Sequence, residues 1–234
     1  SWQQDKLESE AIQKHKSFWL KQFDAEIPIL DLPTYQTRPV IKTYNGRSIN
    51  KKIKTETLKD FKTLCYAHES TLFMGLLAAV KVLLYKYTNQ KDIIVGSPVA
   101  GREHKDLQDQ IGFYVNTLPL RTQFDENDTF IRLLSRVKEV TLGAYENQFY
   151  PFDESVDELN LKRDLSRNPL FDVMVTFQNT DNLKVSYQDL EGISIKQYES
   201  TQDSVSKVDI EFIFEETING LNLILVYNTD LYSP

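Results

Sequence analysis

The sequence predicts one α/β lobe, a mixed β-sheet with helices packed on one face. Three observations predict it. The first two-thirds of the chain interleaves helical patterns with short β-branched runs. After Pro169 the pattern turns to strand-forming segments, and no repeat or linker divides the chain. With 234 residues, 41% hydrophobic and 12% aromatic, the chain can bury a sizeable core. Eight Gly and eight Pro exclude a collagen-like or low-complexity chain.

The elements follow in order. Residues 8–23 place Ile12, His15, Trp19 and Phe23 at helical spacing, with Ser9 as N-cap. Pro28, Pro33 and Pro39 keep residues 27–39 extended. Residues 47–53 alternate as a strand. Residues 55–67 form a helix, with Thr55 and Thr57 as hydroxyl caps and Leu58, Phe61, Leu64 and Cys65 on one face. Thr71 caps a helix over 72–87 that is buried on most sides. Residues 92–95 are a strand closed by Gly96, and a polar loop leads to a second strand over 114–120.

Asp128 caps a helix with Phe130, Leu133, Leu134, Val137 and Val140 inward, and Asp153 caps a short one. Strands are then predicted over 171–179, 185–191, 193–199, 207–216 and 221–228, the last two joined by a hairpin signalled by Asn219-Gly220.

Charge and composition exclude several functions. A net charge of −7 leaves no basic footprint for a phosphate backbone, so nucleic acid is not the main partner. The dense basic spot Lys51-Lys52-Ile53-Lys54 reads as the wet face of a strand. A single cysteine, Cys65, cannot form an internal disulfide; it reads as a buried structural thiol in a reducing compartment, which places the protein in the cytoplasm. The start has no signal-peptide pattern. The most apolar run, 72–87, is interrupted by Lys81 and is shorter than the ~20 residues of a membrane span. No metal site is predicted. Both ends read as cuts through a longer chain.

Three segments carry a resemblance: residues 111–121 (IGFYVNTLPLR), 147–153 (NQFYPFD) and 163–172 (RDLSRNPLFD). In order and spacing they resemble the last three signature motifs of nonribosomal peptide synthetase condensation domains, GxFVNT, QDYPFE and RDxSRNPLF. Residues 96–102 (GSPVAGR) resemble the loop before the first motif, and 206–210 (SKVDI) resemble the family's SKFDL strand. Tyr114, Phe149, Val208 and Ile210 depart mildly from the pattern.

The resemblance implies that residues 1–234 are the C-terminal lobe of a two-lobed, chloramphenicol-acetyltransferase-like fold. It implies amide-bond formation between thioesters carried on phosphopantetheine, with no cofactor bound directly. The implied partners are the N-terminal lobe, peptidyl carrier domains and the adenylation domain of the same synthetase, with dimerisation through an exposed lobe interface. The family's HHxxxDG motif has no counterpart among His15, His68 and His104. No catalytic residue is therefore assigned, and the chain alone is expected to be inactive.

Asn116 and Thr117 are candidates to face the substrate tunnel and bond the phosphopantetheine arm; the alternative is that they satisfy neighbouring backbone groups. Arg102 is the candidate for the arm's phosphate, with a surface salt bridge as its alternative. Gly112, Arg121, Gln148, Pro151, Phe152, Arg163, Asp164, Arg167, Asn168 and Asp209 are assigned to structure, with an internal ion pair within Arg163, Asp164 and Arg167. The polar loop 96–110 matches the tunnel floor. Residues 199–206, with neighbours from Thr180, match the arm that latches onto the other lobe. Epimerization domains resemble GWFT where this chain has GFYVNT. Heterocyclization domains and a non-catalytic carrier-docking module remain alternatives.

Overall fold

The computed structural model describes residues 10–102, 105–108, 110–178, 204–217 and 220–234. The Ser9 cap, His104, the strands predicted at 185–191 and 193–199, residues 180–203 of the latch arm and Asn219 lie outside the described residues.

In chain order the elements are α1 (Glu10–Gln22), β1 (Asn45–Ile53), α2 (Thr55–Ala67), α3 (Leu72–Thr88), β2 (Asp92–Val99), α4 (Lys105–Gln108), β3 (Asn116–Gln123), α5 (Phe130–Glu146) and α6 (Phe152–Glu158). They continue with β4 (Val173–Gln178), β5 (Ser204–Val205), β6 (Ile210–Thr217) and β7 (Gly220–Asn228). The strands form one mixed sheet in the order β3-β2-β4-β6-β7-β1-β5. The β2–β4 and β4–β6 pairs are parallel; the others are antiparallel. Thr217 pairs with Gly220, as a β6–β7 hairpin requires.

Register explains which face the core uses. Phe212 and Phe214 of β6 lie beside Val175 and Phe177 of β4 and opposite Leu225 and Leu223 of β7. Val173, Val175, Phe212 and Phe214 are buried on this face, whereas Thr176, Glu211, Ile213 and Glu215 on the other are only half-buried. One hydrophobic core joins the sheet to α1, α2, α3 and α5 through Trp19, Leu58, Leu77, Leu84, Leu134 and Val137. Thr71 caps α3 as predicted, its hydroxyl accepting from the Met74 amide.

Several local expectations are corrected. β2 does not stop at Gly96 but runs to Val99. Gly96 is needed inside the strand because a Cβ there would overlap the Phe171 ring; glycine in a strand marks close approach as well as termination. β3 starts at Asn116 rather than Tyr114, because residues 111–115 belong to a loop folded around Arg102. Asp128 does not cap α5. Its carboxylate pairs with Arg132 and Arg136, and Thr129 takes the cap, accepting from the Arg132 amide. Pro151, not Asp153, stands at the N-cap of α6, and Lys54 stands at that of α2, so neither Thr55 nor Thr57 caps it.

Lys81 is the largest departure from expectation. It is fully buried on α3, and its Nζ donates to the carbonyls of Ile93 (2.8 Å) and Leu120 (2.8 Å). It thus ties α3 to both β2 and β3. Burial pushes its ammonium pKa down from 10.5 to about 7, against the opposing pull of Asp92. No single helix among the described residues is long and apolar enough to cross a membrane. By length and composition α2 and α3 pass together, bent by 103°.

Candidate functional site

A groove of about 560 Å³ opens where β2 ends and β3 begins. Loop 101–115 forms one wall. The turn before α6 and the start of that helix form the other. All three signature segments meet behind it.

Asn116, the first residue of β3, makes the junction. Its amide nitrogen donates to the carbonyls of Gln148 (2.8 Å) and Tyr150 (2.9 Å). Its oxygen accepts from the amides of Thr117 (2.9 Å) and Phe152 (3.1 Å). Both donors and the acceptor are therefore committed to backbone. Of the two readings weighed for Asn116, these four bonds support the second, that it satisfies neighbouring backbone groups. Thr117 pairs with Pro98 across the strands and lines the groove, as does Gln148.

Beyond Pro151, the Phe152 ring packs on Phe171 with centroids 5.5 Å apart. Phe171 in turn lies over Gly96. Sequence reasoning did not single out Asn147, which is buried. Its amide donates to the Gly143 carbonyl (2.8 Å), and its own carbonyl accepts from the Trp19 indole (2.8 Å). His15 reaches the Asn147 side-chain oxygen at 3.0 Å, so α1 is pinned to the same turn.

Arg102 sits inside the loop that forms the facing wall. Its guanidinium donates to the carbonyls of Leu107, Gln110 (2.6 Å) and Gly112 (2.9 Å). The Tyr114 ring covers it at 4.5 Å. It is half-buried inside the loop, with its hydrogen bonds directed inward at carbonyls of the loop itself. Gly101 has φ of +64°, and a side chain there would overlap the Tyr114 carbonyl. The loop tip carries exposed apolar side chains: Ile111 is 103% exposed and Phe113 89%.

Arg121 is buried. It holds Asp92 through Nε (3.0 and 3.1 Å) and Nη2 (2.7 Å), and donates to the carbonyls of Gln22 (3.0 Å) and Glu26 (2.7 Å). A second cluster sits under residues 163–172. Arg38 clamps the buried Asp209 and donates to the Ser166 carbonyl (3.1 Å), while Arg167 pairs with the buried Asp172.

Lys42 bonds Asn168 and the Lys207 carbonyl. Burial, and then the neighbouring charge of Asp209, hold the Asp172 carboxyl above the usual range, against the pull of Arg167. The ion pair expected within residues 163–167 is thus mainly an Arg167–Asp172 pair. Asp164 lies 4.0 Å from Arg167 and instead accepts from the Ser166 amide (2.8 Å) and hydroxyl (2.7 Å). Arg163 lies exposed on a second groove of about 660 Å³.

Cys65 is buried, and burial pushes its thiol pKa up. Among the described residues, no group of three or more His, Cys, Asp and Glu side chains is placed to hold a metal.

The condensation domain family matches residues 1–234. The chain belongs to that family. It is 41% identical over 232 residues to bacitracin synthase 1 of Bacillus licheniformis, covering 99% of this chain and 4% of that protein. It is also 41% identical over 232 residues to gramicidin S synthase 2 of Brevibacillus brevis, covering 99% and 5%. This condensation-domain chain therefore spans a small part of its much longer relatives.

The fold is similar to that of holo-AB3403, a four-domain nonribosomal peptide synthetase bound to AMP and glycine. There the TM-score is 0.82 with 24% identity over 94% of this chain and 18% of that one. The X-domain from teicoplanin biosynthesis in complex with OxyB gives a TM-score of 0.87 with 21% identity, over 99% of this chain and 52% of that one. The first condensation domain of the calcium-dependent antibiotic synthetase, with a substrate analogue, gives 0.73 with 16% identity over 99% and 49%.

Proposed function

We propose that this chain is the C-terminal lobe of a nonribosomal peptide synthetase condensation domain, and that its groove is one wall of the reaction channel. The observation that carries this reading is the convergence of the three signature segments: Asn116 holds the Gln148–Phe152 turn, and Phe152 packs on Phe171. In the reaction, an amine on one carrier-bound aminoacyl group attacks the thioester carbon of another. The C–N bond forms, the C–S bond breaks, the thiol leaves, and the amine gives up a proton. Both reactants arrive on phosphopantetheine arms of peptidyl carrier domains, and the chain itself binds no cofactor. Thr117 remains the polar groove residue we assign to the arm.

The protein acts in the cytoplasm, beside the adenylation domain of its synthetase. Alignment and proton handling dominate such an acceleration; general acid–base catalysis alone is worth ~10²–10⁴-fold. The 234 residues contain no HHxxxDG segment. The chain alone is therefore inactive, and it dimerises through the apolar face that otherwise meets the N-terminal lobe.

The test is single-turnover transfer between a donor-loaded and an acceptor-loaded carrier protein, read by mass spectrometry. No dipeptide is expected from the chain alone, and some when the histidine-bearing lobe is added as a second chain. Dipeptide formed at full rate without that lobe would refute the reading. Heterocyclization in the reconstituted pair would move the chain to that subtype. The likeness to an X-domain seen in complex with OxyB supports a second reading, a docking module; reconstitution that binds carriers yet makes no product would favour it.

A further inference from the structure

We propose that Arg102 is the positioning residue of the groove: by shaping loop 101–115 it sets how tightly the groove holds an apolar substrate chain. This rests on the reading of the groove as a wall of the reaction channel.

The described part of the loop has little regular structure, a single four-residue helix, α4. Its shape must come from side chains. The carbonyls of Leu107, Gln110 and Gly112 all turn toward the Arg102 guanidinium. A planar fork with five N–H donors suits three acceptors arriving from different directions; a lysine ammonium is a compact point charge without that geometry.

Tyr114 closes the remaining face. Its ring lies over the guanidinium at 4.5 Å, and its hydroxyl donates to the Gln110 side chain at 2.7 Å. The neck of the loop is closed as well, because only the absence of a Cβ lets Gly101 approach the Tyr114 carbonyl.

Phe113 shows why this matters for binding. It lines the groove yet is 89% exposed, so little side-chain packing holds it in place. Its position is set by its backbone, and that backbone is set by Arg102. Leu107 and Val115 join it on the same wall, facing Phe149 and Phe152. Loosening the staple leaves the chemistry of the groove unchanged and blurs its shape.

Two measurements test this. Hydrogen exchange on the 234-residue chain compares wild type, Arg102→Ala and Arg102→Lys. Steady-state amide formation by the intact two-lobed domain compares the same variants and Phe113→Ala. Arg102→Ala is expected to speed exchange of amides 105–114 at least tenfold, with α3 and β2 unchanged. It is expected to raise KM for the carrier-bound apolar aminoacyl substrate about tenfold, with kcat within about threefold.

Arg102→Lys should fall between wild type and alanine in both measurements. Phe113→Ala should raise KM with no change in exchange, since it leaves the staple in place. Unchanged loop exchange in Arg102→Ala, or a loss confined to kcat, overturns the proposal. Faster exchange with an unchanged KM overturns the claim on substrate grip. A wild-type domain that makes no amide overturns the channel reading and this claim together, while exchange still reports whether Arg102 holds the loop.

Discussion

Replacing Lys81 by methionine separates its charge from its bulk. The wild-type amine is fully buried, bonded to the carbonyls of Ile93 and Leu120, and its pKa is pushed down from 10.5 to about 7. Between those two values the unfolded chain holds a proton that the folded chain does not. Stability therefore falls as pH drops from 10.5 to 7, and levels off below 7. The gap is 10.5 − 7, or about 3.5 pH units; at 1.36 kcal/mol per unit the loss is at most about 5 kcal/mol.

Methionine titrates in neither state, and the other groups titrate alike in both proteins. The stability of Lys81→Met minus that of wild type should therefore climb by up to about 5 kcal/mol from pH 10.5 to 7. The variant also forfeits the two bonds to carbonyls, which offsets the whole curve downward without changing its slope. Urea unfolding at fixed pH values, followed by the fluorescence of buried Trp19, measures the difference. A curve flat to within about 1 kcal/mol across the window would show that the amine stays charged in the core, and would refute the reasoning.

Asn116→Ala removes four bonds to backbone and leaves the carbonyls of Gln148 and Tyr150 without their donor, so thermal unfolding should report a loss of about 2–4 kcal/mol. Arg167→Ala strands the buried Asp172 carboxylate and should cost about 3–5 kcal/mol in urea at neutral pH, while adding Asp172→Asn should recover part of it. A recovery of zero would show that Arg167 acts through packing alone. Cys65, buried and with its thiol pKa raised, should react with a thiol reagent in urea but not in native buffer; fast native labelling would place it at the surface.

How much was legible follows from which signals are local. The helices over 55–67 and 72–88 and the β6–β7 hairpin rest on periodicity, a Thr71 cap and a turn residue, all carried within a few positions of each other. The Gly96 expectation failed for a non-local reason, and the Asp128 one because Thr129, its neighbour, offers the competing cap. Gly96 answers to Phe171, 75 positions on (171 − 96), and Asp128 to arginines on the helix it was meant to cap. Lys81 read as an interruption of an apolar run because the two carbonyls that satisfy it come from strands paired across the fold. The signature segments were visible as motifs, but not what their polar atoms bond. Arg38 and Lys42, which complete the Asp209–Asp172 cluster, carried no signal in their extended, proline-rich stretch.

A polar residue at the end of an apolar strand reads the same in sequence whether it serves a ligand or the backbone. Counting its donors and acceptors in the fold tells the two apart. Asn116 and Arg102 each direct several hydrogen bonds at carbonyls of their own chain, as Arg121 does at Gln22 and Glu26. On this wall, the polar members of the motifs build the groove. Beside them the groove carries an apolar strip, Leu107, Phe113, Val115, Phe149 and Phe152, with Thr117, Gln148, Asp153 and Glu154 as its polar members. On the proposed reading of the groove as a channel wall, that strip would select by shape and by apolar area removed from water, at roughly 25 cal/mol per Å². Substitutions at Phe113 or Val115 should then change the discrimination between substrates in proportion to side-chain size. Substitutions at Asn116 should change stability first.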